Sequence, residues 1–82
     1  MKNFSIHGTE TGSQISRRLD EIVVCGSPDT IRDLGLFLIT AAYEISKNEP
    51  DHIHLQDSIR RFSYRRHTDV IVMRATARPK NI

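Results

Sequence analysis

The sequence predicts a single α+β domain of order β-β-α-β-β, with one long helix, about 28–47, packed on one face of a four-stranded sheet. Ser27 to Lys47 carries a helical apolar period behind a clear start signal. Two short runs, Ile22-Val23-Val24-Cys25 and Val70-Ile71-Val72-Met73, are apolar on both faces and rich in β-branched residues, as strands in a sheet interior are.

The helix is argued from its ends inward. Ser27 can accept from the free amides of the first turn, and Pro28 sits where a missing N–H and a fixed φ do no harm. Asp29 and Asp33 lie at the positive end of the helix dipole and Lys47 at the negative end. At about 100° per residue, Ile31, Leu34, Phe37, Leu38, Ala41, Ala42 and Ile45 share one broad face, the expected core side. Gly35 lies at its edge, where the lack of a side chain would let a strand approach. Asp33, Thr40, Glu44 and Lys47 fall opposite, toward solvent. Leu36, Ile39 and Tyr43 make a second apolar group on one flank beside Arg32. A helix resting on a sheet seldom buries that much of its circumference, so this flank is either covered by a loop or left for a partner.

Before the helix, Lys2 to His7 alternates, with Phe4 and Ile6 on one side, and reads as a half-buried strand. Gly8 to Ser13 are turn formers. Leu19 to Cys25 holds the apolar run expected to be a central strand, and Gly26 frees the backbone for the step into the helix. Asn48, Glu49, Pro50 and Asp51 stop the helix. His52 to Gln56 then alternates, so that Ile53 and Leu55 are expected to face the helix while His52, His54 and Gln56 face away. Asp57 to Thr68 has no clean period and is expected to be a loop with a short helical turn or strand extension. Asp69 to Ala75 is the last strand. The domain thus spans 1–75, and 76–82, with Pro79, is expected to be a flexible tail.

A chain of 82 residues has room for one domain, which buries about 60 to 65% of its extended surface, so help from a dimer interface is in keeping with its size. Hydrophobic residues at 38% and charged residues at 27% describe a globular protein rather than a disordered one. No stretch approaches the roughly 18 apolar residues of a membrane span, and Met1-Lys2-Asn3-Phe4 does not lead into a signal-peptide apolar region. A cytoplasmic location away from membranes is therefore expected. The single cysteine, Cys25, excludes an internal disulfide framework and a cysteine zinc site. The net charge of +2 arises from 12 Lys and Arg against 10 Asp and Glu. It is uneven: Arg60, Arg61, Arg65, Arg66, Arg74, Arg78 and Lys80 crowd the last third, where only Asp57 and Asp69 oppose them.

Three constellations carry side chains capable of chemistry. His52 and His54 are two apart on a strand and share a face, with Asp51 and Asp57 near in sequence, but a stable zinc site needs three or four ligands. No metal and no cofactor are expected. Cys25 lies close to the helix N-terminus, yet no base is placed beside it, and it is expected to be a buried small hydrophobe. No Gly-rich phosphate loop, nucleophile elbow or paired-carboxylate motif occurs, so there are no catalytic residues to assign and no enzyme is expected. Arg60-Arg61-Phe62-Ser63-Tyr64-Arg65-Arg66-His67 interleaves four arginines with two aromatics, the composition of a single-stranded nucleic-acid site. Phe62 and Tyr64 serve equally well as anchors that hold the loop to the core while the arginines stay solvated or meet an acidic protein.

Ser27-Pro28-x-x-Ile31-Arg32-x-Leu34-x-x-Phe37-Leu38-x-x-Ala41-Ala42, then Asp51-His52-x-His54-Leu55, then Asp69-Val70-Ile71-Val72, in that order and spacing, resemble the small α+β immunity proteins found beside bacterial polymorphic toxins. The likeness covers about Val23 to Met73, and the Asp-His-x-His-Leu step is its distinctive part. Members of that group commonly carry a tryptophan in the loop before the last strand, where this chain has Phe62. The resemblance implies a binding protein without catalysis of its own. The expected function is therefore a protein-interaction module that binds and neutralises a cognate toxin, with nucleic-acid binding through 60–67 as the alternative. The expected contact residues are His52, His54, Gln56, Arg60, Arg61, Phe62, Tyr64, Arg65 and Arg66, with Leu36, Ile39 and Tyr43 as an apolar patch for the partner or for a second copy of the chain.

Overall fold

The computed structural model describes residues 1–48 and 50–75, apart from the side chain of Asn48. The expected tail at 76–82 lies outside the described residues. In chain order the elements are β1 (Ile6–Gly8), β2 (Arg17–Leu19), α1 (Pro28–Asn48), β3 (His52–His54), a 3-10 turn (Leu55–Asp57) and β4 (Ile71–Met73). The class is α+β with one helix. The strands, however, do not form one four-stranded sheet: they make two separate two-stranded antiparallel sheets, β1–β2 and β3–β4.

The first ribbon pairs Ile6 with Leu19, His7 with Arg18 and Gly8 with Arg17. Its connection contains a turn closed by the Ser13 amide donating to the Glu10 carbonyl at 2.9 Å. Gly12 takes φ 84° there, a left-handed backbone that a side chain resists. The first strand is thus Ile6–Gly8 and not Lys2–His7, and Phe4 is exposed. The second strand also differs from expectation, since it is Arg17–Leu19, and the run Ile22-Val23-Val24-Cys25 has no regular structure. Ile22 and Val24 are about half exposed, Val23 is 83% exposed, and Cys25 is exposed rather than buried. Strand propensity measures how well a side chain suits a pleated, half-buried surface, and here no neighbouring strand provides one.

Helix α1 begins as its sequence dictates. The Thr30 amide donates to Ser27 Oγ at 3.2 Å and the Ile31 amide to the Ser27 carbonyl at 2.9 Å. On the open side of the first turn Arg32 pairs with Asp29 at 2.8 Å, and in the last turn the Lys47 ammonium lies 5.9 Å from the Tyr43 ring centroid.

The buried stripe of α1 is narrow. Phe37 and Ala41 are the buried hydrophobics among the described residues, and Leu34 and Ile45 are half-buried on the same line. Ile31, Leu38 and Ala42, expected in the core, are exposed. The cause is the missing central strand: a ribbon only three residues long covers one stripe of a 21-residue helix. A Cβ built on Gly35 would meet nothing within 4 Å, so no strand approaches there.

The second ribbon meets α1 through both of its strands. His52 pairs with Met73, Ile53 with Val72 and His54 with Ile71. The Leu55 amide donating to the Val70 carbonyl at 2.8 Å and the Arg74 amide donating to the Asp51 carbonyl at 3.1 Å extend the pairing beyond both ends. The Arg74 guanidinium also donates to the Ile45 carbonyl, tying the end of β4 to the last turns of α1.

Candidate protein-binding surface

The segment from β3 to β4 is irregular, yet it is held by its own side chains. The Ser58 and Ile59 amides both donate to the Leu55 carbonyl, at 2.8 and 3.2 Å, which prolongs the 3-10 turn and brings Ile59 back toward α1. Arg61 follows with φ 58°, a left-handed position that reverses the chain. Ser63 then organises a second turn. Its carbonyl accepts from the Arg66 and His67 amides at 3.0 and 2.7 Å, and its Oγ accepts from the Arg65 amide at 3.2 Å. The Ser63 amide donates to His67 Nδ1 at 3.1 Å, so that nitrogen is an acceptor and the neutral ring carries its proton on Nε2.

The aromatics anchor this loop. Phe62 is half-buried, meets Tyr64 edge to face at 4.9 Å and lies on His67 at 5.6 Å. The Tyr64 hydroxyl donates to Gln56 Oε1 at 2.7 Å. Gln56 therefore sits on the 3-10 turn, engaged with the loop, and not on the strand face expected for it. Arg60, Arg61, Arg65 and Arg66 are exposed, and among the described residues none of them forms an ion pair.

His52 and His54 do lie together, with ring centroids 5.1 Å apart. They differ in setting. His52 is exposed, whereas His54 is half-buried and its Nδ1 lies 2.7 Å from Asp69 Oδ2. The other carboxylate oxygen of Asp69 accepts from the Gln56 amide at 3.0 Å. Asp69 thereby binds the start of β4 to the end of β3. Its role was hidden in the sequence, because it lies 15 positions beyond His54, across the aperiodic stretch 57–68.

Between α1 and the 55–59 turn lies a groove of about 270 Å³ lined by Asp33, Leu36, Phe37 and Thr40 on one side and Leu55, Ser58 and Ile59 on the other. Leu36, predicted as part of a flank patch, is a wall of this groove and is 55% exposed. Ile39 and Tyr43 continue the same apolar line along the helix, at 69% and 59% exposure. Leu55, expected to face the helix, does line this groove beside α1, whereas Ile59 lies in the 57–68 stretch, where the lack of a period gives no signal of where an apolar side chain will rest.

Among the described residues no three of His, Cys, Asp and Glu come together as a metal cluster, and no helix there is long and apolar enough to cross a membrane. No protein family, no curated protein and no solved structure matches this chain.

Proposed function

We propose that this chain is a protein-binding module whose contact surface is the groove between α1 and the 55–59 turn, extended by Ile39 and Tyr43 and bordered by the arginine loop. The observation that carries the reading is the groove itself: its apolar lining of Leu36, Phe37, Leu55 and Ile59 adjoins, one residue further along the chain, a loop with four exposed arginines. Such a surface suits a protein segment that offers an apolar anchor flanked by carboxylates, because the anchor fills the groove while the arginines draw in the acidic flank. On the resemblance in the helix and in the Asp51-His52-x-His54-Leu55 step, the partner is a toxin, which the module would neutralise by covering its active surface.

Nucleic-acid binding is the lesser reading. Single-stranded recognition stacks bases on several free aromatic faces, whereas Phe62 is half-buried against Tyr64 and His67, which leaves the exposed Tyr64 ring, held by Gln56 through its hydroxyl, as the one open platform of this loop. The test is selection from a random displayed peptide library, with an oligothymidylate strand assayed in parallel. Enrichment of peptides with an apolar residue beside Asp or Glu, lost in Leu36→Asp and weakened when Arg60 and Arg61 become Ala, is the expected result. No enrichment over the Leu36→Asp protein would overturn the proposal. Tight oligonucleotide binding that falls steeply with salt would replace it with the nucleic-acid reading.

A further inference from the structure

We propose that His52, His54 and Met73 form a site for a monovalent copper ion on the outer face of the β3–β4 ribbon. In an antiparallel pair, directly opposed residues share a face and their Cβ atoms lie about 4.5–5.5 Å apart. His52 is opposed by Met73, and His54, two residues on, points the same way. Two imidazoles and a thioether therefore gather on one face. Ile53 and its partner Val72 take the other.

Three features of this face match the needs of a metal. The first is the spacing of the rings. Two imidazoles that share an ion through nitrogens about 2.0–2.1 Å from it place their centroids roughly 5 Å apart at a near-tetrahedral angle. The rings of His52 and His54 are 5.1 Å apart. The second is the tautomer of His54. A carboxylate can only accept, so His54 Nδ1 donates its hydrogen to Asp69, and in the neutral ring Nε2 then carries the lone pair. Asp69 is itself held by the Gln56 amide, which fixes the ring orientation as the outer-shell carboxylates of metal-binding histidines do. The third is the softness of the donors. A methionine sulfur prefers monovalent copper over zinc, and imidazole accepts either. The thioether supplies the third donor that the histidine pair alone lacks. This proposal stands apart from the peptide-binding groove and survives if that reading fails.

The experiment is a titration of the untagged full chain with Cu(I) under anaerobic reducing conditions, in competition with the chromophoric chelator bicinchoninate. The exposed Cys25 thiol is an alternative soft ligand, so Cys25→Ser is measured beside the wild type. The expected result is one copper held per chain in both. His52→Ala should abolish the binding. Met73→Leu, which conserves volume, should weaken copper while leaving the affinity for Zn(II) unchanged. Asp69→Asn should lower the affinity about 10- to 100-fold. His7→Ala, on the other ribbon, should change nothing. Loss of copper with Cys25→Ser would assign the ion to the thiol and overturn the site, as would retention in His52→Ala. Equal copper affinity in Met73→Leu would remove the thioether from it.

Discussion

Asp69 Oδ2 lies 2.7 Å from His54 Nδ1, while its Oδ1 accepts the Gln56 amide at 3.0 Å. One carboxylate, only 10% exposed, thus joins the end of β3, the start of the 3-10 turn and the approach to β4. It is a side-chain tie across a loop of irregular chain, and it acts where the ribbon is too short to hold itself by ladder bonds alone. Removing it leaves an amide and an imidazole N–H without acceptors in a half-buried setting. Asp69→Ala is expected to destabilise the fold by about 1–3 kcal/mol, and Asp69→Asn by less, since its side-chain oxygen still accepts the Gln56 amide. Urea unfolding followed by circular dichroism measures both. Equal stability of Asp69→Ala and wild type would show that the bridge contributes nothing.

Gly35 sits in the middle of α1 with open space where a Cβ would be. A glycine there weakens the helix without any packing reason for its presence, because it enlarges the conformational freedom of the unfolded chain and adds no contact. Gly35→Ala is expected to raise stability by about 0.5–1 kcal/mol, which in a domain of this size lifts the melting temperature by several degrees. A thermal melt decides it. A fall in melting temperature would mean that something does pack against that position.

The cap of α1 makes the opposite case. Ser27 Oγ accepts the Thr30 amide and donates to Thr30 Oγ1 at 3.1 Å. Ser27→Ala should cost about 1 kcal/mol, and Ser27→Asp should restore most of it, since a carboxylate caps and also suits the positive end of the dipole. The comparison of the two variants in the same melt separates capping from any general effect of changing the residue.

These positions show which parts of the molecule were legible. The Ser27 cap, the span of α1 and the apolar run ending at Met73 depend on local chemistry, and local chemistry is written in adjacent residues. The placement of His52 and His54 on one face follows from strand alternation and was equally readable. The strand at Ile22 to Cys25 failed because a strand is a pairing, and nothing within the run states whether a partner will be present. The width of the helix's buried face follows from the same absence, because Ile31 and Leu38 need a four-stranded sheet to cover them and the described strands form two separate ribbons. Asp69 and Ile59 were invisible for a related reason: each acts across the 55–70 loop, whose course is set by the Arg61 reversal and the Ser63 turn and not by any period.

The unpaired run leads to the last prediction. Ile22, Val23 and Val24 are β-branched, carry no charge and are exposed, and both ribbons have edges that no strand covers within this chain's described residues. Free ladder groups beside an exposed strand-forming segment are a template for pairing between copies. The chain is therefore expected to self-associate as its concentration rises. A lysine at the most exposed position opposes this by charge and by the cost of burying an ammonium in a sheet. Val23→Lys should keep the monomer's unfolding free energy within about 0.5 kcal/mol, because Val23 packs against little, yet shift the association to higher concentration. Sedimentation over a concentration series, with unfolding measured at the dilute end, gives both quantities. A large loss of stability in the dilute monomer would mean that Val23 is covered in the free chain. An unchanged association curve would mean that the copies meet elsewhere, and the exposed helix line of Leu36, Ile39 and Tyr43 would be the surface to alter next.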